Sequence, residues 1–427
     1  MRFFQLLLIS VIWYFIIQCA VQAQPIDEIS VGLIQRFGSI SSIGIENKSG
    51  LTVGGLNSGN PIYEEITFRL KGNRIEASAS SMEPVLLLPP IEIAPADNTI
   101  TYLRRFGGKP YGYRGRFVLM VSKSSIRIIN RLSVEDYLLG VLPAEMPASF
   151  HPEALKAQAV AARTYAIRAF GKHKSDGYDV CDSSNCQIYL GADGERPSCS
   201  KAVLETAGMV LRNESGLFLP LYSSDCGGKT RFFASDKTFI PSVVDAPENG
   251  EHYCGTGVYH KWTAKIAKQR LLPILFNTGK TKMTDIESVS LENIGDDERP
   301  KKIRCIQQDR SAAIDTDVLR SALGGFVLKS PWITNAYIEK DQVVFEGRGY
   351  GHGYGMCQIG ANGMASPPHN KNFREILAHY YPGTFITGDQ SAIEAIRTER
   401  KRTQSSFNPK KGKAVKNQLP PLILFEP

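Results

Sequence analysis

Apolar positions recur along this chain in two rhythms. Between residues 24 and 135, short apolar or alternating runs separated by Gly, Asn, Pro and Ser clusters predict strands at 29–33, 67–70, 117–121 and 126–132. A further run, 85–88, ends at the breaker Pro89-Pro90. After residue 135 the texture changes. Residues 134–142 predict a short helix or turn ending at Pro143, and 152–170 predict the clearest helix of the chain. Pro152 occupies its first turn with Glu153 beside it, Gly171 lies just past its end, and Lys172 and Lys174 follow. Alanines at 154, 157, 159, 161, 162, 166 and 169 favour the helix and let a neighbouring element approach closely, which predicts burial. Residues 175–260 read as loop-rich, and 261–345 as mixed, with strands near 336–338 and 343–345. A glycine-dense stretch, 347–363, precedes a last helix at 373–380, stopped by Pro382-Gly383.

The amino terminus changes the picture of where the protein works. Met1-Arg2 is followed by an apolar run, 3–17, and Val21-Gln22-Ala23 offers a small-x-small cleavage pattern. Residues 1–23 read as a secretory signal peptide, with a single membrane anchor as the alternative. Export to a periplasm or cell envelope follows. The seven cysteines after Cys19 are then read as disulfide formers by default, with the odd number leaving a free thiol or a metal ligand. Export also removes ATP, and two Gly-Lys-Thr triplets at 228–230 and 279–281 lack the earlier glycine that a phosphate loop needs.

With 42% hydrophobic and 22% charged residues, a disordered, collagenous or coiled-coil chain is excluded. One apolar run excludes a multi-span membrane protein. The formal charge of +8 is concentrated: between Arg397 and Lys416 eight Lys/Arg face the single acid Glu399, giving +7. The remainder is nearly neutral, which argues against a nucleic-acid-binding face. Residues 389–427 read as a basic, disordered tail suited to an anionic wall polymer or a membrane surface.

Four constellations could carry chemistry. Gly140-Val-Leu-Pro-Ala-Glu-Met-Pro147 sets Glu145 between two prolines among apolar neighbours, a rigid loop in which a carboxyl with a raised pKa could serve as a general acid. A helix-capping or surface carboxylate is the plainer alternative. The stretch from Gly347 to Gly363 surrounds His352 with glycines that allow close backbone approach to a ligand, and adds Arg348 and Gln358; it contains no dinucleotide-binding register. Its plainer alternative is a tight corner between strands. Tyr222-Ser-Ser-Asp-Cys-Gly-Gly-Lys-Thr230 is a polar loop suited to a hydroxyl-rich ligand, with no spacing that fixes a His/Asp partner for a Ser nucleophile. Cys181 and Cys186, five apart, suggest a disulfide, or a zinc site shared with His173.

Together these motifs become specific. Tyr137-Leu-Leu-Gly-Val-Leu-Pro-Ala-Glu-Met-Pro147 followed by Glu153-Ala-Leu-Lys-Ala-Gln-Ala-Val-Ala-Ala-Arg-Thr-Tyr165 resembles the hallmark of the stage II sporulation protein D and amidase-enhancer family. The resemblance extends to Cys181…Cys186-Gln-Ile-Tyr189, Cys226-Gly-Gly-Lys-Thr230 and Gly349-Tyr-Gly-His-Gly-Tyr-Gly-Met-Cys-Gln-Ile-Gly-Ala361, and covers about 28–385. It implies a peptidoglycan lytic transglycosylase that cleaves the MurNAc–GlcNAc β-1,4 bond of glycan strands, often peptide-stripped, to 1,6-anhydro-MurNAc ends. Glu145 matches the family's catalytic Glu. Arg163, Ser224, Thr230, Arg348, His352 and Gln358 are then candidates for holding the strand. No cofactor is required. In some members a His directly before the second cysteine helps bind zinc; Asn185 stands there, which favours a disulfide or a site using His173. Cys357 stands where Ser is usual, adding a thiol or a further disulfide.

The expected fold class is α+β, a β-rich body with a central buried Ala-rich helix and a substrate groove between the helix end and the glycine-rich loop. The expected organisation is 1–23 signal peptide, 24–135 β-rich region, 136–388 catalytic region and 389–427 tail. Expected partners are glycan strands and an N-acetylmuramoyl-L-alanine amidase. Two other functions compete: a non-catalytic glycan-binding amidase enhancer, and a hydrolase pairing Glu145 with Asp225 or Glu346.

Overall fold

The computed structural model describes residues 28–56, 62–235, 238–248 and 250–388. The expected signal peptide and basic tail lie outside the described residues. Eleven strands make one sheet: β1 (Glu28–Gly32), β2 (Ser42–Val53), β3 (Tyr63–Lys71), β4 (Arg74–Ala79), β5 (Met82–Leu87), β6 (Ile91–Pro95), β7 (Thr101–Arg104), β8 (Pro110–Tyr113), β9 (Arg116–Ser122), β10 (Ser125–Ser133) and β11 (Val180–Cys181). The main path runs β11-β1-β10-β9-β6-β2-β3-β4-β5, with β7 pairing both β2 and β8. Neighbours are antiparallel except β1 and β11, which run parallel with Gly32 opposite Cys181. That one pairing draws the 180s back onto the first strand, close to the end of the first helix.

The helices are α1 (Val134–Glu145), α2 (Pro152–Arg168), α3 (Pro197–Glu205), α4 (Lys268–Gly279), α5 (Thr316–Leu323), α6 (Gln358–Ala365) and α7 (Phe373–Tyr380). This is the α+β class, with strands predominating. The Ala-rich helix α2 lies at the centre, packed by α1, α3, α6 and α7. Every one of its residues from Ala157 to Ile167 is buried. Alanine's single methyl leaves room for helices on several sides, so α2 has no solvent face over that stretch. At its start Pro152 occupies the first turn and the His151 ring accepts from Glu153 N at 3.3 Å.

Helix α1 corrects one expectation. Pro143 lies inside it and Glu145 is its last residue, so Glu145 sits on a helix end and not in a loop. Ser133 caps the start by accepting from Asp136 N at 3.0 Å. A proline near the C-terminal end costs α1 one internal hydrogen bond without breaking it. The stop comes from Pro147: the residue before a proline is forced extended, and Met146 has φ −142° and ψ 134°.

Two hydrophobic cores form. The larger gathers side chains from Ile29 to Tyr381 and runs across residue 135 without a break. The smaller lies wholly within 262–345, among three strands (Ser288–Ile294, Pro300–Gln307, Arg310–Asp315), three more (Trp262–Ala267, Ile333–Glu339, Gln342–Gly347), α4 and α5. Trp262 pairs with Gly347, so this unit enters and leaves the main body at one place.

Arg163 locks the central helix to its neighbours. It is 1% exposed and holds both oxygens of Glu135 at 2.7 Å, while donating to Val203 O and Met209 O at 3.2 Å. Removing it takes the charged partner from Glu135, which among the described residues keeps only the Gly208 N–H, and one donor from each of two carbonyls. Arg163→Ala is expected to lower unfolding stability by about 3 kcal/mol, with Arg163→Lys in between. Urea unfolding checks this; an unchanged midpoint would mean the bonds add nothing.

Candidate active site

Glu145 ends α1 with its carboxyl turned into the protein. The residue is 2% exposed, and its Oε1 accepts from Ile188 N at 3.0 Å. Burial pushes the carboxyl up to about 7, against a smaller opposing effect of the Ile188 N–H. The carbonyl end of a helix is itself a poor place for negative charge. Among the described residues no acidic neighbour contributes to the shift.

The surroundings are polar and partly unsatisfied. Gln358, the first residue of α6, donates from Nε2 to the Glu145 carbonyl at 2.8 Å and lies 3.4 Å from Gln158 Oε1. Gln187 donates to Tyr222 OH at 2.9 Å. The hydroxyls of Tyr137, Tyr165 and Tyr222 are held well above the usual phenol range, by burial first, with the Glu145 charge adding to each. Tyr137 OH, Tyr165 OH, Gln158 Nε2 and Gln187 Oε1 have no hydrogen-bond partner among the described residues. Buried polar atoms without partners are costly, so this ring of donors and acceptors is built to receive water or a polar ligand. Four of these residues, Tyr137, Tyr165, Gln187 and Gln158, stand inside the sequence motifs around Glu145. Their roles were hidden because nothing in helix spacing says which buried hydroxyl is left unpaired.

The remaining sequence-picked residues divide. Gln358 meets Glu145. Ser224, buried, accepts at its carbonyl from Ile359 N at 3.0 Å and so helps hold α6. Arg163 is occupied with Glu135, away from the carboxyl. Thr230 is fully buried and its hydroxyl accepts from Val243 N at 2.8 Å, a loop tie. His352 is buried; its Nδ1 accepts from Tyr354 N at 3.0 Å, and burial, aided by Arg320 and Arg231, drives its pKa down to about 3, so the ring is neutral. Arg348 lies on the wall of an open hollow of about 650 Å³ with Glu251, His252, His260 and Lys261.

The glycines of the late loop also let two stretches of the chain approach closely. Gly355 has φ +67°, and a Cβ there would run into the Leu221 carbonyl. The close approach is between two stretches of the same chain: Tyr222–Ser223 pairs in parallel with Met356–Cys357. Gln358, at the end of the same stretch, joins it to the end of α1, and Glu145 is buried beside that junction.

Cys181 and Cys186 are both unbridged. Cys186 Sγ lies 3.3 Å from His173 Nε2, and the three ligand atoms fall within 4.8 Å of one another. His173 reaches in from the turn after α2 and supplies the nitrogen that Asn185 cannot. A hydrogen bond from Cys186 holds the Cys181 thiol far below its ordinary range, down to about 3, and pushes Cys186 up. Two sulfurs and an imidazole fit a zinc ion with one position left for a fourth ligand.

A family model described as Stage II sporulation protein matches residues 122–212, which hold α1, Glu145, α2 and the paired cysteines. An uncharacterized protein of Brachyspira hyodysenteriae is 31% identical over 277 residues, 64% of this chain and 72% of that protein. The Amidase enhancer of Bacillus subtilis is 30% identical over 302 residues, covering 58% of this chain and 40% of the relative. Stage II sporulation protein D of Bacillus subtilis is 27% identical over 292 residues, 62% of this chain and 78% of the relative. The chain belongs to the stage II sporulation protein D family.

The raised carboxyl has a measurable consequence. Glu145 binds its proton more tightly folded than unfolded, so its contribution is fully present below its unfolded value, 4.5, and is lost as pH rises through about 7. The cost of ionising it folded is about 3 kcal/mol, since each pKa unit is worth about 1.4 kcal/mol. Glu145→Gln, always neutral, should gain stability relative to the wild type between pH 4.5 and 7.5. Parallel urea titrations at those pH values would reveal it, and a constant difference would place the carboxyl in water.

Proposed function

We propose that the protein is a lytic transglycosylase of the cell wall, exported to the envelope and acting on peptidoglycan glycan strands in sporulation or division. The observation that carries this reading is the buried carboxyl of Glu145, with a pKa near neutrality and no acidic partner among the described residues. Ordinary glycosidases use two carboxylates, one of them for water or for the sugar. A lytic transglycosylase needs only one. Protonated Glu145 gives its proton to the glycosidic oxygen as the C1–O4 bond breaks. The sugar's own C6 hydroxyl then attacks C1, and its proton returns to the Glu145 carboxylate, restoring the start. No water enters the product, which ends as 1,6-anhydro-MurNAc. Tyr137 and Tyr165, whose hydroxyls feel the Glu145 charge, supply unpaired hydrogen-bonding atoms near it, and Gln158 and Gln187 carry further unpaired atoms.

Neither Asp225 nor Glu346 acts on Glu145, which weakens the hydrolase reading. Asp225 is bound to Gly227 N at 2.8 Å and faces His260, and Glu346 lies on a strand of the smaller unit. Zinc at His173, Cys181 and Cys186 would stabilise the segment that carries Ile188; the proton transfers do not involve it. A second reading, a glycan-binding amidase enhancer, draws support from the relative named Amidase enhancer and from the 2% exposure of Glu145. A strand reaches a carboxyl so covered only when part of the covering chain moves aside. In either reading an N-acetylmuramoyl-L-alanine amidase is the expected partner, and the basic tail is suited to an anionic wall polymer.

Mass spectrometry of soluble products from purified glycan strands, intact and amidase-stripped, tests this. Anhydro-sugar products are expected from wild type and should fall by roughly a thousandfold or more with Glu145→Gln, which loses both proton-transfer roles. Reducing ends would point to a hydrolase. Strand binding with no product from either protein would favour the enhancer. As pH rises through about 7, kcat/KM should fall, because the starting acid is lost.

A further inference from the structure

A second group of thiols lies apart from the paired cysteines, where the glycine-rich stretch runs into α6. Cys226, Cys254 and Cys357, with the carboxylate of Asp245, bring four ligand atoms within 4.8 Å of one another. All four residues are 0–1% exposed. They come from three separate stretches of the chain, so no spacing in the sequence announces them. We propose that these four residues form a structural zinc site.

The geometry favours a metal over a disulfide. Cys226 Sγ and Cys254 Sγ are 3.8 Å apart, and a tetrahedral ion with Zn–S bonds of about 2.3 Å sets its sulfurs about 3.8 Å apart. A disulfide needs about 2.05 Å and would leave the third thiol unpaired. Four donors inside so small a span suit one ion. Three thiolates and a carboxylate are also the soft, anionic set that zinc selects.

The surrounding groups orient these ligands as metal sites require. Cys357 Sγ accepts from Cys226 N at 3.2 Å and Gly360 N at 3.3 Å. Asp245 Oδ2 accepts from Cys254 N at 3.1 Å, and Asp245 Oδ1 accepts from Tyr380 OH. Among the described residues no Lys or Arg is paired with Asp245, so the ion would supply the charge that this buried carboxylate otherwise lacks. Gly360 fits the same plan. It stands within α6, where glycine is a weak helix former, yet a Cβ there would strike Tyr380 OH and Asp245.

The site would tie the Cys226 loop, the Cys254 loop and the start of α6 into one unit. Cys357 caps α6, and the next residue, Gln358, holds the Glu145 carbonyl. The metal would therefore fix the floor of the candidate active site without touching the reacting groups.

The test compares the full chain with Cys357→Ser, a small change at a position where the family usually carries Ser. Both are loaded with Zn²⁺ alone, dialysed, and measured for bound metal. Wild type should hold about one zinc more per chain than the variant, whatever the His173 site contributes to both. Loading with Co²⁺ should give wild type an added tetrahedral absorption with thiolate charge-transfer bands, and Asp245→Asn should shift it. The same difference should persist in a Cys181→Ser, Cys186→Ser background. Equal metal content in wild type and Cys357→Ser, or a Cys226–Cys254 disulfide in a non-reducing peptide map, would overturn the site. Circular dichroism that matches wild type shows that each variant is folded; loss of metal by unfolding is thereby separated from loss of a ligand.

Discussion

One hydrogen bond closes the candidate site: the Gln358 amide on the Glu145 carbonyl, 2.8 Å long and joining residues 213 apart in the chain. A helix leaves its last carbonyls without internal partners, and in a buried helix end that is a cost. Gln358 meets it. For that to happen, α6 must start where α1 stops, the glycine-rich loop must lie flat on the stretch from Leu221 to Gly227, and α2 must be slim enough for both. The alanines of α2, the glycines of the loop and the cap at Cys357 all answer to that requirement. The carboxyl is consequently sealed from water, and its high pKa follows from the seal.

Much of this was legible in the residues, for reasons that differ by element. The run at 117–121 is apolar throughout and those at 29–33 and 126–132 are rich in Ile, Val and Leu, and the strands β1, β9 and β10 overlap them. Helix α2 announced itself by Pro152, Glu153 and the run of alanines. Strand β2 did not. Its inward positions include Asn47, a buried amide satisfied by Thr99 and Thr101 at 3.0 Å, and a register shift after Glu46 breaks its alternation. A polar residue paired across the core looks, in one dimension, like a surface residue.

The site was legible in its acid and opaque in its surroundings. Glu145 stands out among apolar neighbours, although Pro143 suggested a loop where the helix continues. Arg163, Thr230 and His352 are polar residues in motifs dense with chemistry, yet the first two are spent on internal bonds and the third is neutral and enclosed. A sequence shows that a polar side chain is present. Whether its hydrogen bonds are already taken depends on partners tens or hundreds of residues away, such as Glu135 for Arg163 and Val243 for Thr230. The thiols of Cys226, Cys254 and Cys357 were unreadable for the same reason.

The smaller unit within 262–345 has its two junctions side by side, since Trp262 and Gly347 are paired across adjacent strands. To the main body it is therefore a very long loop whose ends are already clamped together. The entropy lost in closing a loop grows only with the logarithm of its length. Here the excursion offsets that loss internally, with a core of its own. A second seam holds it to the main body, where Arg299 donates to the Cys226 and Lys229 carbonyls at 2.8 and 2.7 Å and Arg231 pairs with Asp317 at 3.0 Å. The excursion is therefore freest to lengthen, shrink or take on a new surface on the side away from that seam, while the Cys254 loop and the glycine-rich loop keep their places.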